Sequence, residues 1–396
     1  MNKLVYYIWL VIQIIIASNL VIPCLLYLLY RGISIGRRKK DGSLTDEEGD
    51  YAIIVTAYEQ TDMLKTVVPS LLSLNYQRYI VYVVADKCDI SRLNFDDERV
   101  VLLRPETVLA SNTRSHFYAI DRFRRPHNRL TIIDSDNLVD PEYLNELEVY
   151  FHKGFEAVQG VRKAKNLDGT YACLDAARDF YYHFYDGKIL FNLGSSATLA
   201  GSGMAFSTDL YKTCLGHLDI VGAGFDKVLQ YEIVKRNKRI AYTDKAVVYD
   251  QKTVHADQLV NQRARWINTW FRYFAFGFDL LIRGIARLSW NQTLFGLILL
   301  RPPLFLFLLF SVLCAGINLI INPAAALLWF SGLLIFIIGF FIALGSSAVD
   351  VRVYRSLANI PIFMFYQVIS LVKSRRANKI SVATRHYEQQ RQEEDV

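Results

Sequence analysis

Hydrophobic positions along this chain follow two regimes. Long apolar runs lie near both ends, and between them short apolar runs alternate with amphipathic stretches. Residues 4–30 are almost unbroken and long enough to cross a bilayer with tilt. Ala17-Ser18-Asn19 loosely resembles a signal-peptide cleavage region, but the apolar run continues past it, which favours a retained anchor. Arg31, Arg37, Arg38, Lys39 and Lys40 follow, so the positive-inside rule puts this end in the cytoplasm and Met1 outside. Residues 31–50 are a basic, then acidic, linker.

In the middle, residues 51–56 (YAIIVT), 79–85 (YIVYVVA), 100–104 and 130–134 (LTIID) read as strands, and 63–74 and 110–123 as helices. Such alternation predicts an α/β domain over residues 51–265 with a doubly wound, mostly parallel sheet. Residues 266–290 mix aromatic and apolar residues with Arg272, Arg283 and Arg287, the pattern of one amphipathic helix lying along a membrane surface. The membrane region, 291–372, holds spans over 302–321 and 324–345, separated by an Asn322-Pro323 turn. Residues 359–372 are apolar but short, as in an interfacial or re-entrant segment. Lys373, Arg375, Arg376 and Lys379 keep the tail, 373–396, cytoplasmic. Three crossings then leave the globular part and the tail on one side.

Composition agrees with this division. At 52% hydrophobic over 396 residues the chain is too apolar for a single soluble domain. The net charge of +7 comes from basic residues beside apolar runs, and no recognition motif accompanies it, so no nucleic-acid partner is expected. The five cysteines show neither zinc-ligand spacing nor a disulfide framework, which suits a reducing compartment. No G-x-G-x-x-G and no P-loop are present, against an oxidoreductase or a nucleoside triphosphatase. The two C-terminal spans carry no charge, against a transporter.

Candidate chemistry concentrates at 130–141 (LTIIDSDNLVDP), where a buried strand runs into Asp134-Ser135-Asp136. Carboxylates at i and i+2 on a strand end point to the same side and repel, so they invite a cation, although an acidic turn can also be only solvated. Asp140 and Pro141 read as the N-cap and first turn of the next helix. Asp86 ends the second strand, where a carboxylate can accept a uracil ring N–H or simply make a turn; Thr56 and Ala57 end the first strand beside it. Gly201-Ser202-Gly203 allows close backbone approach to a ligand, or a turn. Asp226 leads into an amphipathic helix, as a capping acid or as a base that deprotonates an attacking hydroxyl. Gln262, Arg265 and Trp266 share one helical face and combine an amide, a guanidinium for phosphate and an indole for a sugar ring.

The order IIVTAY, VVADKCD, DSDN, GSGM, GFDK, QRARW resembles the membrane-bound family 2 glycosyltransferases, which include the cellulose, chitin and hyaluronan synthases. The chain departs from the family pattern at Thr56, Glu59 and Phe225, and lacks a lysine often found near Asn112. The resemblance implies a GT-A fold, uracil recognition by Asp86, and a nucleotide sugar with Mg or Mn held at Asp134 and Asp136. It further implies Asp226 as the general base of an inverting transfer. Gln262, Arg265, Trp266 and Gly203 would bind the diphosphate and acceptor. Implied partners are a UDP-sugar donor, a growing polysaccharide or a lipid-linked acceptor, and membrane lipid. Three spans are few for a polymer channel, so export would call for a homo-oligomer or a secretion partner. A catalytically silent synthase subunit is the remaining alternative. The implied setting is a cell membrane, with a bacterial inner membrane as the expectation.

Overall fold

The computed structural model describes residues 3–36 and 48–377. The basic cluster 37–40, most of the acidic linker, Lys379 and the tail beyond 377 lie outside them.

The described chain opens with helix α1 (Lys3–Gly36). The catalytic-size domain follows as β1 (Tyr51–Tyr58), α2 (Leu64–Leu72), β2 (Tyr79–Asp86), β3 (Val100–Leu103), α3 (Asn112–Ile120), β4 (Arg129–Asp134), β5 (Leu138–Val139) and α4 (Tyr143–His152). Next come β6 (Ala157–Ala164), α5 (Thr170–Tyr182), a π-helical stretch His183–Ile189, α6 (Leu190–Asn192), β7 (Met204–Ser207), α7 (Thr208–Leu215), α8 (Phe225–Lys235) and β8 (Ala241–Asp250). The last part is helical: α9 (Ala256–Tyr273), α10 (Phe276–Ala286), α11 (Trp290–Leu300), α12 (Leu304–Ile321), α13 (Pro323–Gly345), α14 (Val351–Ser356) and α15 (Ile360–Lys373).

One eight-stranded sheet runs β3-β2-β1-β4-β7-β6-β8-β5. Its first four strands are parallel, as the β–α alternation predicts; β7 then runs antiparallel to both β4 and β6, and β5 antiparallel to β8. Strands β1 and β2 are buried on both faces, and their side chains divide with period two. Ala52, Ile54, Tyr82 and Val84 join one core, while Ile53, Val55, Val81 and Val83 join the other. The first of these cores is continuous with Leu20 of α1, Phe307 of α12, and Trp329 and Phe336 of α13.

Among the described residues, helices Lys3–Ile33, Leu304–Ile321, Pro323–Gly345 and the broken Val351–Lys373 are each long and apolar enough to cross a membrane, four where the hydropathy pattern suggests three. α1, α12 and α13 pack together. Gln13 accepts from Asn318 Nδ2 at 2.6 Å and from Trp329 Nε1 at 2.9 Å, the kind of interhelical polar tie that holds membrane bundles. α15 lies along α9 instead, and a 3-10 turn at Leu357–Asn359 separates it from α14.

Two local expectations differ from the structure. Residues 266–290 are not one helix, because the chain breaks after Tyr273 and α10 folds back against α11. There Gly277 and Gly296 face each other so closely that a Cβ on either would meet the other's carbonyl oxygen within 3 Å. Asp140 does not cap α4, whose N-cap is Glu142. Asp140 follows directly on the short strand β5, a turn at Pro141 and Glu142 separates it from α4, and its carboxylate accepts the Glu142 N–H at 3.1 Å.

Candidate active site

Parallel strands bring the ends of β1, β2 and β4 to one edge. In register, Thr56 lies beside Asp134 and Tyr58 beside Asp86. The chain after Asp134 turns sharply, and the glycine segment latches that turn. The Asp134 N–H donates to Ser202 Oγ at 3.0 Å, and Ser202 in turn donates to Asn137 Oδ1 at 2.6 Å. The Asn137 amide then donates to Asp136 Oδ1 at 2.9 Å. Gly203 has a left-handed φ of 67°, and a Cβ there would sit 2.9 Å from Val248 Cγ2. Gly203 is thus built into the support of the acidic turn, and Gly201 is the one on the cavity wall.

That wall encloses about 1010 Å³ and runs from the sheet edge to α12, α13 and α15. Thr56, Asp134, Asp136, Asp226, Gln262, Arg265 and Trp266 all line it. Ala57, Asp86 and Gly203 do not. The Asp86 carboxylate is 2% exposed and accepts the backbone N–H groups of Leu109 and Ala110 at 3.0 and 2.7 Å. It thereby fixes the loop that delivers Asn112, which is on the wall.

Asp226 occupies the first turn of α8, after an N-cap Gly224 at φ 104°. A Cβ on Gly224 would come within 2.6 Å of Thr269 Cγ2 and 2.7 Å of the Tyr273 ring, so this glycine lets the start of α8 approach α9. Lys227 Nζ pairs with Asp226 at 2.9 Å and donates to the Leu199 carbonyl at 2.9 Å, which anchors the pair. The Trp266 ring is held by guanidinium groups, Arg263 at 4.1 Å and Arg178 at 4.3 Å from its centroid.

Sequence reasoning missed the charge network beneath this wall. Asp175, Arg178 and Asp179 stand on one face of α5. Arg178 meets Asp179 at 2.6 Å and Asp175 at 3.2 Å, and Arg263 also binds Asp175. Lys252 reaches Asp179 at 2.5 Å and Asp250 at 2.8 Å, with Arg162 close to both acids. A D-x-x-R-D run in an otherwise apolar helix was the available signal.

Neighbouring carboxyls are pushed in opposite directions. Burial, then the charge of Asp136, raises the Asp134 carboxyl to about 7. Burial acts on Asp179 too, but Lys252, Arg178 and Arg162 pull it well below the usual carboxylate range. His183, which also lines the cavity, is lowered to about 4 by burial and is neutral near pH 7. Among the described residues no group of three or more His, Cys, Asp or Glu is placed to hold a metal ion unaided.

A sheet of this topology, with aspartates at its strand ends over a deep cavity, defines a glycosyltransferase of the GT-A type. Residues 49–269, more than half of the chain, match the family described as Glycosyltransferase like family 2, and the chain belongs to that family. No curated protein sequence matches it. Among solved structures it is similar to the mannosyltransferase PcManGT from Pyrobaculum calidifontis in complex with GDP-Man and Mn2+, with a TM-score of 0.52 at 14% identity, covering 91% of this chain and 98% of that one. It also matches residues 1–349 of S. aureus TarS, alone (TM-score 0.39, 14% identity) and with UDP-GlcNAc (TM-score 0.41, 15% identity). Those two comparisons cover 83% of this chain and 90% of TarS 1–349.

Proposed function

We propose that this enzyme is an inverting transferase. It moves a sugar from a nucleoside-diphosphate donor to a glycan or lipid-linked acceptor at the cytoplasmic face of a membrane. The observation that carries this reading is convergence: Asp134, Asp136, Asp226, Gln262, Arg265 and Trp266, drawn from β4, the turn after it, α8 and α9, share one cavity bordered by membrane helices.

In this reading Asp226 accepts the acceptor's hydroxyl proton as the oxygen attacks the anomeric carbon from the face opposite the diphosphate. The C1–O bond to the diphosphate breaks, and its electron pair leaves with the nucleotide. Arg265 stabilises the departing charge through directed N–H donors. Trp266, clamped by Arg263 and Arg178, orients the sugar end of the cavity.

Asp134 and Asp136 fit a divalent cation that arrives with the donor. Two adjacent carboxyls, one destabilised as an anion by burial and by its neighbour, lack a third protein ligand among the described residues but suit Mg or Mn whose remaining ligands are phosphates and water. When bound, such an ion neutralises developing diphosphate charge. UDP as donor follows from the family resemblance; base selection then comes from Asp86 through the 109–112 loop it holds.

Three crossings by α1, α12 and α13, with Met1 outside, keep the domain and the C-terminus cytoplasmic if α14 and α15 lie at the interface. Packing of α15 along α9, rather than in the bundle, favours that arrangement. A panel of UDP and GDP sugars, assayed for turnover with and without Mn, tests the reading. Turnover of one donor, dependent on the cation and abolished in Asp226→Asn, is the expected result; no turnover of any donor overturns it.

A further inference from the structure

One part of the cavity wall is not needed by a nucleotide sugar. From position 304 onward the lining side chains come from membrane-region helices. They include Phe305 and Leu308 of α12, Phe336 and Phe340 of α13, and Phe363 and Met364 of α15. Among the described residues, Gln367 is the only polar side chain in that part of the wall. The whole enclosure, about 1010 Å³, is at the upper limit for a single small ligand, so it has room for a second molecule beside the donor.

A glycan strand would bring hydroxyl groups into this chamber, and phenylalanine, leucine and methionine offer them no hydrogen-bond partners. An apolar chain gains by entering the same space. Where the chamber meets the charged part of the wall, polar groups stand ready for a head. Arg263 lines the cavity, is 2% exposed, and leaves Nε and Nη1 without partners while its remaining nitrogen holds Asp175. Gln262 Oε1 is likewise buried and unpartnered at that junction.

We propose that the acceptor is carried on an apolar tail. The tail occupies the chamber between α12, α13 and α15, and a polar head at Arg263 and Gln262 presents the attacking oxygen to Asp226. This rests on the transferase reading above and selects its lipid-borne acceptor over a polymer threaded through the membrane. The bond balance is unchanged. The head-group oxygen bonds to C1, its proton passes to Asp226, and the nucleoside diphosphate leaves with the electron pair of the broken C1–O bond.

The test uses the full-length protein in nanodiscs with a radiolabelled donor. Alkyl phosphates and alkyl glycosides with chains of four, eight and twelve carbons are offered beside a soluble oligosaccharide. The expected result is single addition to the alkyl acceptors, with KM falling at least tenfold for each four carbons, in line with the free energy of burying methylenes. Phe340→Ser and Met364→Ser should each raise KM for the twelve-carbon acceptor about tenfold and leave that for the four-carbon one within about twofold. Nucleotide-induced thermal shifts report that these variants are folded. A ladder of products on the soluble oligosaccharide, or a KM independent of chain length, overturns the inference. Donor hydrolysis without transfer to any alkyl acceptor overturns it while sparing the transferase reading. No donor turnover and no nucleotide binding overturns both.

Discussion

Two groups of acidic residues lie side by side at this site, and their environments are opposite. Asp175, Asp179 and Asp250 each sit against Arg or Lys, so the protein itself neutralises them. Asp134 and Asp136 face each other, and burial leaves the first with its proton favoured up to about pH 7. The difference separates scaffold from working surface. A charge already balanced inside the fold can hold α5, β8 and α9 in place, whereas one disfavoured by burial and a like charge at a cavity wall suits, in the proposed reading, a cation that arrives with the donor.

The sharpest challenge to this contrast is Asp226→Asn. Loss of a general base should lower transfer about a thousandfold with nucleotide binding retained. Transfer near the wild-type rate would move Asp226 into the scaffold group. Lys252→Met should show the opposite signature, a fold made less stable by roughly 3–5 kcal/mol because Asp179 and Asp250 lose their cation. Thermal unfolding in detergent measures it, and an unchanged melting temperature would mean that the network is not a scaffold.

Asp134→Asn separates the groups by sign. Its folded carboxyl holds its proton more tightly than an unfolded one. The stability of the protonated form is therefore complete below about pH 4 and is lost as pH rises through about 7. The variant escapes this loss, so cation-free protein should be stabilised by up to about 4 kcal/mol at pH 8 and hardly at all near pH 4. Asp179→Asn should instead destabilise at neutral pH, because that carboxyl is held well below its ordinary value. The smallest effect is on the cation itself. Calorimetry should find Mn affinity weakening by up to about tenfold per pH unit below pH 7, as a proton competes for Asp134, and levelling off above it.

Much of the sheet edge was legible because its signals are local. The run LTIID followed by polar residues specifies a buried strand and where it stops, and the period-two division of β1 and β2 into two cores follows from the same rule. Asp86 was legible as a strand end but not as a loop anchor, since its partners Leu109 and Ala110 come more than twenty residues later. Helical spacing put Gln262, Arg265 and Trp266 on one face. It gave no hint that Arg263 would also be drawn to the cavity, because that depends on Asp175 on a distant helix. The fold-back of α10 on α11 escaped for a related reason. A composition rich in arginine and aromatics specifies an interface but not where paired glycines allow two helices to touch.

The π-helical stretch after α5 ties the two halves of the molecule together: Tyr185 donates to the Gly339 carbonyl of α13 at 2.8 Å, and Asp186 pairs with Arg301 just ahead of α12. A change in the tilt of α12 or α13 would therefore be felt at the cavity wall that they share with Asp134 and Asp226. Bilayers that are thinner or thicker than the hydrophobic length of α12 and α13 would lean those helices and reshape the floor under the sugar. In the membrane setting proposed above, the thickness of the surrounding lipid would enter the rate, and a fragment without α12 and α13 would lose part of its reaction vessel.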